Sequence, residues 1–194
     1  MPNLMMNVPI FPLSTTLFPE GQLSLKIFEP RYLEMVSRCL KSNTPFGVCL
    51  ILDGKEVGPA AACCSMGTLT KITNWDHSEN GLLLLEAEGG QRFEIQDKEV
   101  SKQQLIVAKI KLLDKPDIVQ VPPALKQLAG ILERFLKKAQ PALLIDQQKL
   151  TDAAWVSYRL AEILPMEGMM RQRLLEMDDA IERLYLVLRL VTEK

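Results

Sequence analysis

The sequence predicts an α+β protein in which a β-rich half, residues 1–115, is followed by a helical half, residues 116–194. Two observations support this division. Up to Leu113 the apolar runs are short and separated by turn-forming residues, whereas after Lys115-Pro116-Asp117 apolar residues recur three and four positions apart. The length of 194 residues suits one large domain or two small ones, and 47% hydrophobic with 24% charged residues is typical of a globular protein.

The first half is predicted to contain many short strands. Gln22–Phe28 alternates apolar and polar residues, and a reversal of the chain is predicted at Gly89-Gly90. The predicted strands are Val8–Leu13, Gln22–Phe28, Phe46–Leu52, Gly67–Trp75, Leu82–Glu88, Gln91–Ile95 and Gln104–Leu113. Strands this short and numerous favour a closed or half-closed antiparallel β-barrel, because closure hides strand edges that would otherwise pair with other chains.

One helix is predicted to interrupt these strands. Pro30 suits the first helical turn, where its missing N–H would have no partner anyway. Asn43 and Pro45 are expected to end the helix. Its predicted buried face has helical spacing and consists of Tyr32, Leu33, Met35, Val36, Cys39 and Leu40.

The second half is predicted to be a helical bundle. A helix opens at Pro122-Pro123 and runs to about Ala139, where Pro141 closes it. Its apolar stripe is Leu125, Leu128, Leu132, Phe135 and Leu136. Three further helices are predicted: one capped by Thr151 and stopped by Pro165, a short one over Glu167–Glu176, and a last one that begins at Asp178 or Asp179.

No catalytic, cofactor-binding or metal-binding residue is predicted. The sequence lacks the glycine-rich motifs of nucleotide-binding loops and the nucleophile motif of α/β-hydrolases. The single histidine, His77, is interpreted as a loop residue at a hairpin tip, because metal sites and catalytic triads need companion residues. The net charge of −1 gives no electrostatic basis for binding nucleic acid.

The four cysteines are predicted to be reduced. Cys39 and Cys49 are interpreted as small buried residues, whereas Cys63 and Cys64 are placed on a long irregular loop, Asp53–Cys64, and their role is left open. The apolar runs are too short to span a bilayer, and the N-terminus lacks the pattern of a signal peptide. We therefore expect a cytoplasmic protein without a membrane partner.

Two groups of apolar residues are candidates for binding an apolar partner. They are Phe11, Leu17, Phe18 and Phe28 in the β-rich half, and Met169 and Met170 in a methionine-rich helical segment. Methionine-rich surfaces adapt to varied apolar partners. Packing in the protein core is the alternative interpretation for each of these residues.

Several segments, in order, resemble the N-terminal, substrate-binding domain of Lon proteases. The segments are Pro9–Leu13, Leu17–Gly21, Leu25–Tyr32, Gly67–Leu69, Glu88–Phe93, Arg159–Pro165 and Arg171–Glu176. Glu88–Phe93 is similar to the G-x-x-R-F hairpin of that domain. The resemblance covers about residues 8–190, which is nearly the whole chain.

The resemblance implies a barrel-like β half of the kind called PUA-like, followed by a helical bundle. It also implies a non-catalytic module that binds exposed apolar or unfolded segments of other proteins. Full Lon proteases continue into an ATPase and a serine–lysine peptidase module, and no motif here matches either, so no catalytic residue is carried over. The chain thus looks like a stand-alone Lon-type domain of the kind found in bacteria. We expect its C-terminus to be natural, because the family helix ends at Leu190–Lys194.

Two alternatives from other functional classes stay open. PUA-like barrels are also associated with RNA, although the near-neutral charge argues against an RNA-binding module here. A small hydrolase would rest on the analogy with Lon alone, since no site supports it. The expected partners are other proteins or unfolded polypeptides, with a weak homodimer as a further possibility.

Overall fold

The computed structural model describes residues 5–78, 81–139 and 145–192, and these form six β-strands and five α-helices. The mixed α+β class is therefore confirmed. The chain divides into two compact units, residues 1–115 and 116–194. The elements of the first unit are β1 (Met5–Leu13), β2 (Gln22–Ile27), α1 (Pro30–Ser42), β3 (Phe46–Asp53), β4 (Ala62–His77), β5 (Leu83–Val100) and β6 (Ile106–Leu112).

The six strands form one sheet in the order β2-β5-β4-β3-β1-β6. Since β5 also pairs with β6, the strands β1, β3, β4, β5 and β6 form a circuit of pairings, and β2 lies outside it on β5. The expectation of a purely antiparallel arrangement is wrong at one place, because β1 and β3 are parallel. Parallel neighbours need a long crossover connection, and here β2 and α1 provide it.

Two prolines within β1 are accommodated by a change of neighbour along the strand. Met5–Ile10 pairs with β6, whereas Ile10–Leu13 pairs with β3. Pro9 and Pro12 therefore each lie in a stretch with a neighbour on one side in the register. A proline can occupy such a position because its missing N–H can face the side that has no ladder hydrogen bond.

The reversal predicted at Gly89-Gly90 is wrong, because both glycines lie inside the continuous strand β5. The register between β4 and β5 shifts there, from Thr68 opposite Arg92 to Thr70 opposite Gly89. The glycines thus mark an irregularity in a long strand, which is the other common role of glycine in a sheet. The predicted turn at Asn80-Gly81 falls partly outside the described residues; Gly81 itself has a φ of 76°.

The irregular segment between β3 and β4 is shorter than predicted. β4 begins at Ala62, so Cys63 and Cys64 are strand residues and not loop residues, and both are buried. Cys39 and Cys49 are buried as well. The backbone of β4 pairs with β3 at Cys63, which explains how this stretch is ordered despite its weak alternation in the sequence.

Two apolar clusters form the core of the first unit. One packs α1 against the sheet, and the other is formed by strand residues only. The first includes Phe11, Leu13, Leu17, Ile27, Tyr32, Met35, Val36, Cys39, Phe46 and Val48, and the second includes Val8, Ile10, Cys49, Cys63, Leu69, Phe93 and Ile110. Each such large side chain contributes about 1.5–3 kcal/mol relative to exposure.

α1 begins and ends as the sequence predicts. Pro30 is its first residue, and Asn43 ends it in the left-handed region with a φ of 50°. Leu33 and Leu40, however, do not lie on its buried face, because both are exposed while Arg31 takes a buried position in the first turn.

The described residues of the second unit form four α-helices: α2 (Lys126–Ala139), α3 (Ala153–Ile163), α4 (Gly168–Glu176) and α5 (Ala180–Thr192). The predicted N-cap of α3 is off by one residue, because Asp152 and not Thr151 accepts from the backbone N–H of Ala154, at 2.9 Å. Asp179 caps α5, as predicted, by accepting from the N–H of Ile181 at 2.7 Å. Pro141 lies outside the described residues.

Most, but not all, of the stripe predicted for α2 is buried. Leu128 and Leu132 are fully buried and Phe135 is exposed.

A buried arginine contributes to the core of this unit. The Nε of Arg183 donates to the Oγ of Ser157 at 2.8 Å, and its guanidinium lies 4.0 Å from the centre of the Tyr158 ring.

Candidate functional site

β2 is the strand with an available edge in the first unit. Among the described strands its neighbour is β5, and it ends the strand order. Leu23, Leu25 and Ile27 alternate with the exposed residues Ser24 and Lys26. The apolar residues of β2 therefore pack towards the core, while its outer edge leaves backbone N–H and C=O groups outside the ladder.

The start of α1 lies next to the end of β2. Glu29 is the N-cap residue with an extended backbone, and its carbonyl accepts from the N–H groups of Tyr32 and Leu33, both at 3.0 Å. This sharp start places Tyr32 in the first helical turn, where its ring stacks on Phe11 with centroids 4.1 Å apart. Two aromatic rings from different elements are thus held together by the Phe-Glu-Pro-Arg-Tyr segment and β1.

An open cavity of about 250 Å³ lies between β1, β2, the start of α1 and the loop after β3. We call it the apolar groove. Its apolar lining is Phe11, Leu13, Leu25, Ile27, Phe28, Tyr32 and Val57. Phe28 and Val57 are 52% and 54% exposed, so the groove presents apolar surface that the folded chain itself leaves uncovered.

The polar lining of the apolar groove consists of Ser24, Lys26, Glu29 and Glu56. The carboxylate of Glu56 accepts from the backbone N–H of Ser14 at 2.7 Å and also from its hydroxyl. This carboxylate therefore fixes the loop after β3 against the end of β1.

Arg31 and Glu29 form an ion pair at the end of the groove. The Nη2 of Arg31 lies 3.1 Å from the Oε2 of Glu29, and its Nη1 donates to the carbonyl of Gln104 at 2.7 Å. Burial raises the pKa of Tyr32 to about 12; Arg31 acts in the opposite direction, and the carboxylates of Glu29 and Glu56 add to the rise. Tyr32 is therefore a neutral phenol near neutral pH.

A second cavity of about 240 Å³ shares Glu29 with the apolar groove. We call it the polar cleft. It is lined by Glu29, Pro30, Arg31, Glu34, Gly58, Gln103 and Gln104. The N–H of Gly58 donates to the Oε2 of Glu29 at 3.3 Å, and the N–H of Ala60 donates to the Oε1 of Gln104 at 3.2 Å. The same loop, residues 54–61, therefore borders both cavities.

The binding candidates from the β-rich half occupy different environments. Phe28 is exposed in the groove, and Phe11 lies at its floor with an exposed fraction of 6%. Phe18 is fully buried and Leu17 nearly so, and neither lines the groove. The Leu17 carbonyl accepts from the buried hydroxyl of Thr68 at 2.6 Å, which places this segment inside the fold.

The methionine candidates lie in α4 of the second unit. Met169 is 56% exposed and Met170 is half-buried, while the buried residues of α4 are Gln172, Leu174 and Leu175. The interpretation of these methionines as core residues therefore does not hold for Met169. Both methionines belong to the second unit, whereas the groove is formed by residues of the first.

Several groove residues were not recognised as binding candidates in the sequence. Leu25 and Ile27 were assigned only to the inner face of a strand, and Tyr32 only to the helix core. Val57 and Glu56 lie in a segment with no periodicity. The available signal is Val57 itself, a branched apolar residue that follows Lys55 and Glu56 between two glycines.

The residues considered for chemistry do not assemble into a site within the described parts of the chain. His77 is the last residue of β4 and not a loop residue, and its ring lies 5.8 Å from that of Trp75. The described residues contain no group of three or more His, Cys, Asp or Glu side chains that could hold a metal ion. Within the same residues, no helix has the length and apolar character needed to cross a membrane.

Residues 7–193 match the family model of the ATP-dependent protease La (LON) substrate-binding domain. The chain belongs to this family. The match extends from β1 into the last helix, so both units are part of the family domain. The resemblance that the sequence motifs indicate is thereby confirmed.

Two solved structures of Lon N-terminal domains are similar to this chain over nearly its whole length. A crystal structure of a Lon N-terminal domain protein from Xanthomonas campestris is 34% identical with a TM-score of 0.80, and the match covers 94% of this chain and 97% of that one. The N-terminal domain of Lon protease from the Mycobacterium avium complex is 14% identical with a TM-score of 0.70, covering 97% and 99%; it shows the shared fold.

A curated relative is a LON peptidase N-terminal domain and RING finger protein from Schizosaccharomyces pombe, with 25% identity over 219 residues. The match covers 96% of this chain and 45% of that protein, so the chain spans about half the length of this relative. The family thus supports a non-catalytic substrate-binding module.

Proposed function

We propose that the chain is a protein-binding module without catalytic residues of its own, which captures exposed apolar or unfolded segments of other proteins in the apolar groove. The observation that carries this proposal is the exposure of Phe28 and Val57 in an open cavity beside the edge strand β2. A family of substrate-binding domains gives such a surface a natural role.

The proposed mechanism combines apolar burial with strand pairing. An extended segment would add to the outer edge of β2, where main-chain hydrogen bonds give affinity independent of sequence. Alternate side chains of that segment would then enter the groove against Leu25, Phe28 and Val57. Each buried side chain would contribute about 1.5–3 kcal/mol before the entropy cost of association is subtracted.

Among the candidates from the sequence, Phe11 and Phe28 are assigned to this groove, Phe11 as part of its floor. Leu17 and Phe18 would act indirectly, because both are buried before β2 and the Phe18 carbonyl accepts from the N–H of Gly21 at 3.0 Å in the turn that precedes this strand. The exposed Met169, with Met170 beside it, is a second apolar surface for partners, on the other unit. We also infer that the circuit of strand pairings represents the half-closed, PUA-like barrel, and that the module acts in the cytoplasm.

The test is a binding titration with fluorescently labelled peptides and a permanently unfolded protein. Phe28→Ala should weaken binding at least several-fold, because it removes exposed apolar surface without disturbing a buried side chain. Trp75→Ala is the matched control: Trp75 is an aromatic residue of the same unit, 51% exposed, and does not line the groove. A peptide N-methylated at alternate residues should bind weakly if strand pairing contributes.

The proposal fails if no peptide or unfolded protein binds saturably, or if Phe28→Ala and Trp75→Ala have equal effects. An RNA shift at low salt that exceeds peptide binding would instead support the nucleic-acid alternative. Peptidase activity that survives purification and is abolished by one substitution would support a hydrolase.

A further inference from the structure

The polar lining of the apolar groove indicates which apolar segments the groove binds. We propose that the groove, used as in the proposed function above, selects extended segments that carry a basic side chain two residues to either side of the apolar anchor, and that it disfavours acidic side chains there. The proposal rests on that function and adds the class of ligand sequence.

Three carboxylates lie in the linings of the two neighbouring cavities. Glu29 and Glu56 line the apolar groove, and Glu34 lines the polar cleft that shares Glu29. The cationic residues in the two linings are Lys26 and Arg31. The carboxylates thus outnumber the cations at this surface.

Arg31 has little to offer an acidic ligand. Its side chain is 4% exposed, and its guanidinium already bonds the carboxylate of Glu29 and the carbonyl of Gln104. The guanidinium also lies over the ring of Tyr32, 4.5 Å from the ring centre. The charge of Arg31 therefore stabilises the fold and contributes little to ligand binding.

The other two carboxylates are better placed to receive a basic ligand. The hydrogen bonds of Glu56 come from neutral donors of Ser14, and among the described residues no cation forms an ion pair with it. Glu34 pairs with Arg38 on the exposed face of α1, and an exposed pair of this kind is weak and exchangeable. A ligand cation could replace Arg38 or join it.

The geometry of a strand sets the spacing in the proposal. Side chains two residues apart lie on the same face of an extended segment, about 6.6–6.8 Å apart. When one apolar side chain enters the groove, we expect its neighbours at this spacing to lie beside it, near the polar lining. There a lysine or arginine can cover apolar surface with its methylene groups while its charge stays in water near a carboxylate.

The test uses short labelled peptides that are identical except at the two flanking positions. Each has a central Phe in a Ser/Thr background, with Lys, Ser or Glu two residues before and after it. The Lys peptide should bind about threefold to tenfold more tightly than the Ser peptide, the Glu peptide should be weakest, and added salt should reduce the difference.

Variants of the full chain separate this selectivity from binding itself. Glu34→Gln combined with Glu56→Gln keeps the acceptor for Ser14 and should bring the Lys and Ser peptides to equal affinity. Glu99→Gln, an exposed carboxylate in β5 that lines neither cavity, should leave the preference unchanged.

The outcomes distinguish the two proposals. Equal binding of all three peptides to the unmodified chain, with loss on Phe28→Ala, overturns the charge selectivity and leaves the proposed function standing. A preference for Lys that persists in the double Gln variant also overturns it. Binding of none of the peptides overturns both.

Discussion

Gly89 in β5 lies directly against the backbone of Phe18: a Cβ atom on Gly89 would be 2.2 Å from the Phe18 carbonyl oxygen. Two hydrogen bonds fix this approach, because Glu20 N–H donates to the Gly89 carbonyl at 2.6 Å and Gly89 N–H donates to the Gly21 carbonyl at 2.8 Å. The turn that leads into β2 is therefore held on β5, and with it the start of the strand whose outer edge borders the groove.

Gly89→Ala is expected to destabilise the protein by about 1–3 kcal/mol or more, because the methyl group would meet a carbonyl that cannot move freely. Urea denaturation measures the change. Gly90→Ala is the matched control, since a Cβ atom there would be in ordinary contact, 3.4 Å from the Leu69 carbonyl. Equal losses in the two variants would contradict the role given to Gly89.

The contact between Gly89 and Phe18 also shows why the sequence predicted some elements and missed others. The helix at Pro30 and the strands with clear alternation, such as Gln22–Ile27, depend on local patterns, and the prediction placed them well. A pair of glycines such as Gly89-Gly90 occurs in turns, but also inside strands at positions where another backbone approaches closely. What distinguishes the strand from the turn here is the contact of Gly89 with Phe18, which is about 70 residues away in the sequence. Local sequence patterns carry no information on such a contact.

The candidate site was predicted in part for the same reason. Phe11 and Phe28 were identified because large aromatic residues near a strand are candidates for both core and surface. The sequence could not tell which is exposed, because this depends on how α1 packs on the sheet. Glu56 and Val57 belong to an aperiodic loop, and only the folded structure places them beside Phe28.

Arg31→Lys should destabilise the first unit by about 1–3 kcal/mol. A lysine cannot bond the Glu29 carboxylate and the Gln104 carbonyl with the geometry of a guanidinium, so a partly buried carboxylate loses its partner. Arg38→Lys serves as the control, because its pair with Glu34 is exposed and should contribute little. If both substitutions shift the urea midpoint equally, the ion pair at Arg31 is not a structural one.

Glu162 should make the second unit less stable as pH rises from about 5 to about 8. Burial raises its pKa from 4.5 to about 7, although Arg159, at 2.7 Å, and Arg171 act in the opposite direction. The folded state therefore binds the proton more tightly than the unfolded state, and this stabilisation is present below pH 4.5 and lost as pH rises through 7. The expected loss is about 1–2 kcal/mol, because part of the side chain stays in water.

The measurement compares Glu162→Gln with the unmodified chain by urea denaturation across this pH range. In a Trp75→Phe background, Trp155 is the remaining tryptophan and its fluorescence reports the second unit. The Gln variant should show a flatter profile over the range. A profile that keeps its full slope without the carboxyl group would assign the pH dependence to another residue.

The thiol of Cys63 should titrate near neutral pH for as long as Cys49 is present. A hydrogen bond from Cys49 lowers the pKa of Cys63 from 9.0 to about 7, with burial opposing the change and Lys98 assisting it. Cys49→Ala removes the donor and leaves the desolvation, so the pKa of Cys63 should rise to its ordinary value or above. Thiolate ultraviolet absorbance as a function of pH would show the loss of the step near 7.

Cys39→Ala is the control, because Cys39 lies in α1 and in the other core cluster, so the step should persist. A step that survives Cys49→Ala would mean that another group supports the Cys63 thiolate.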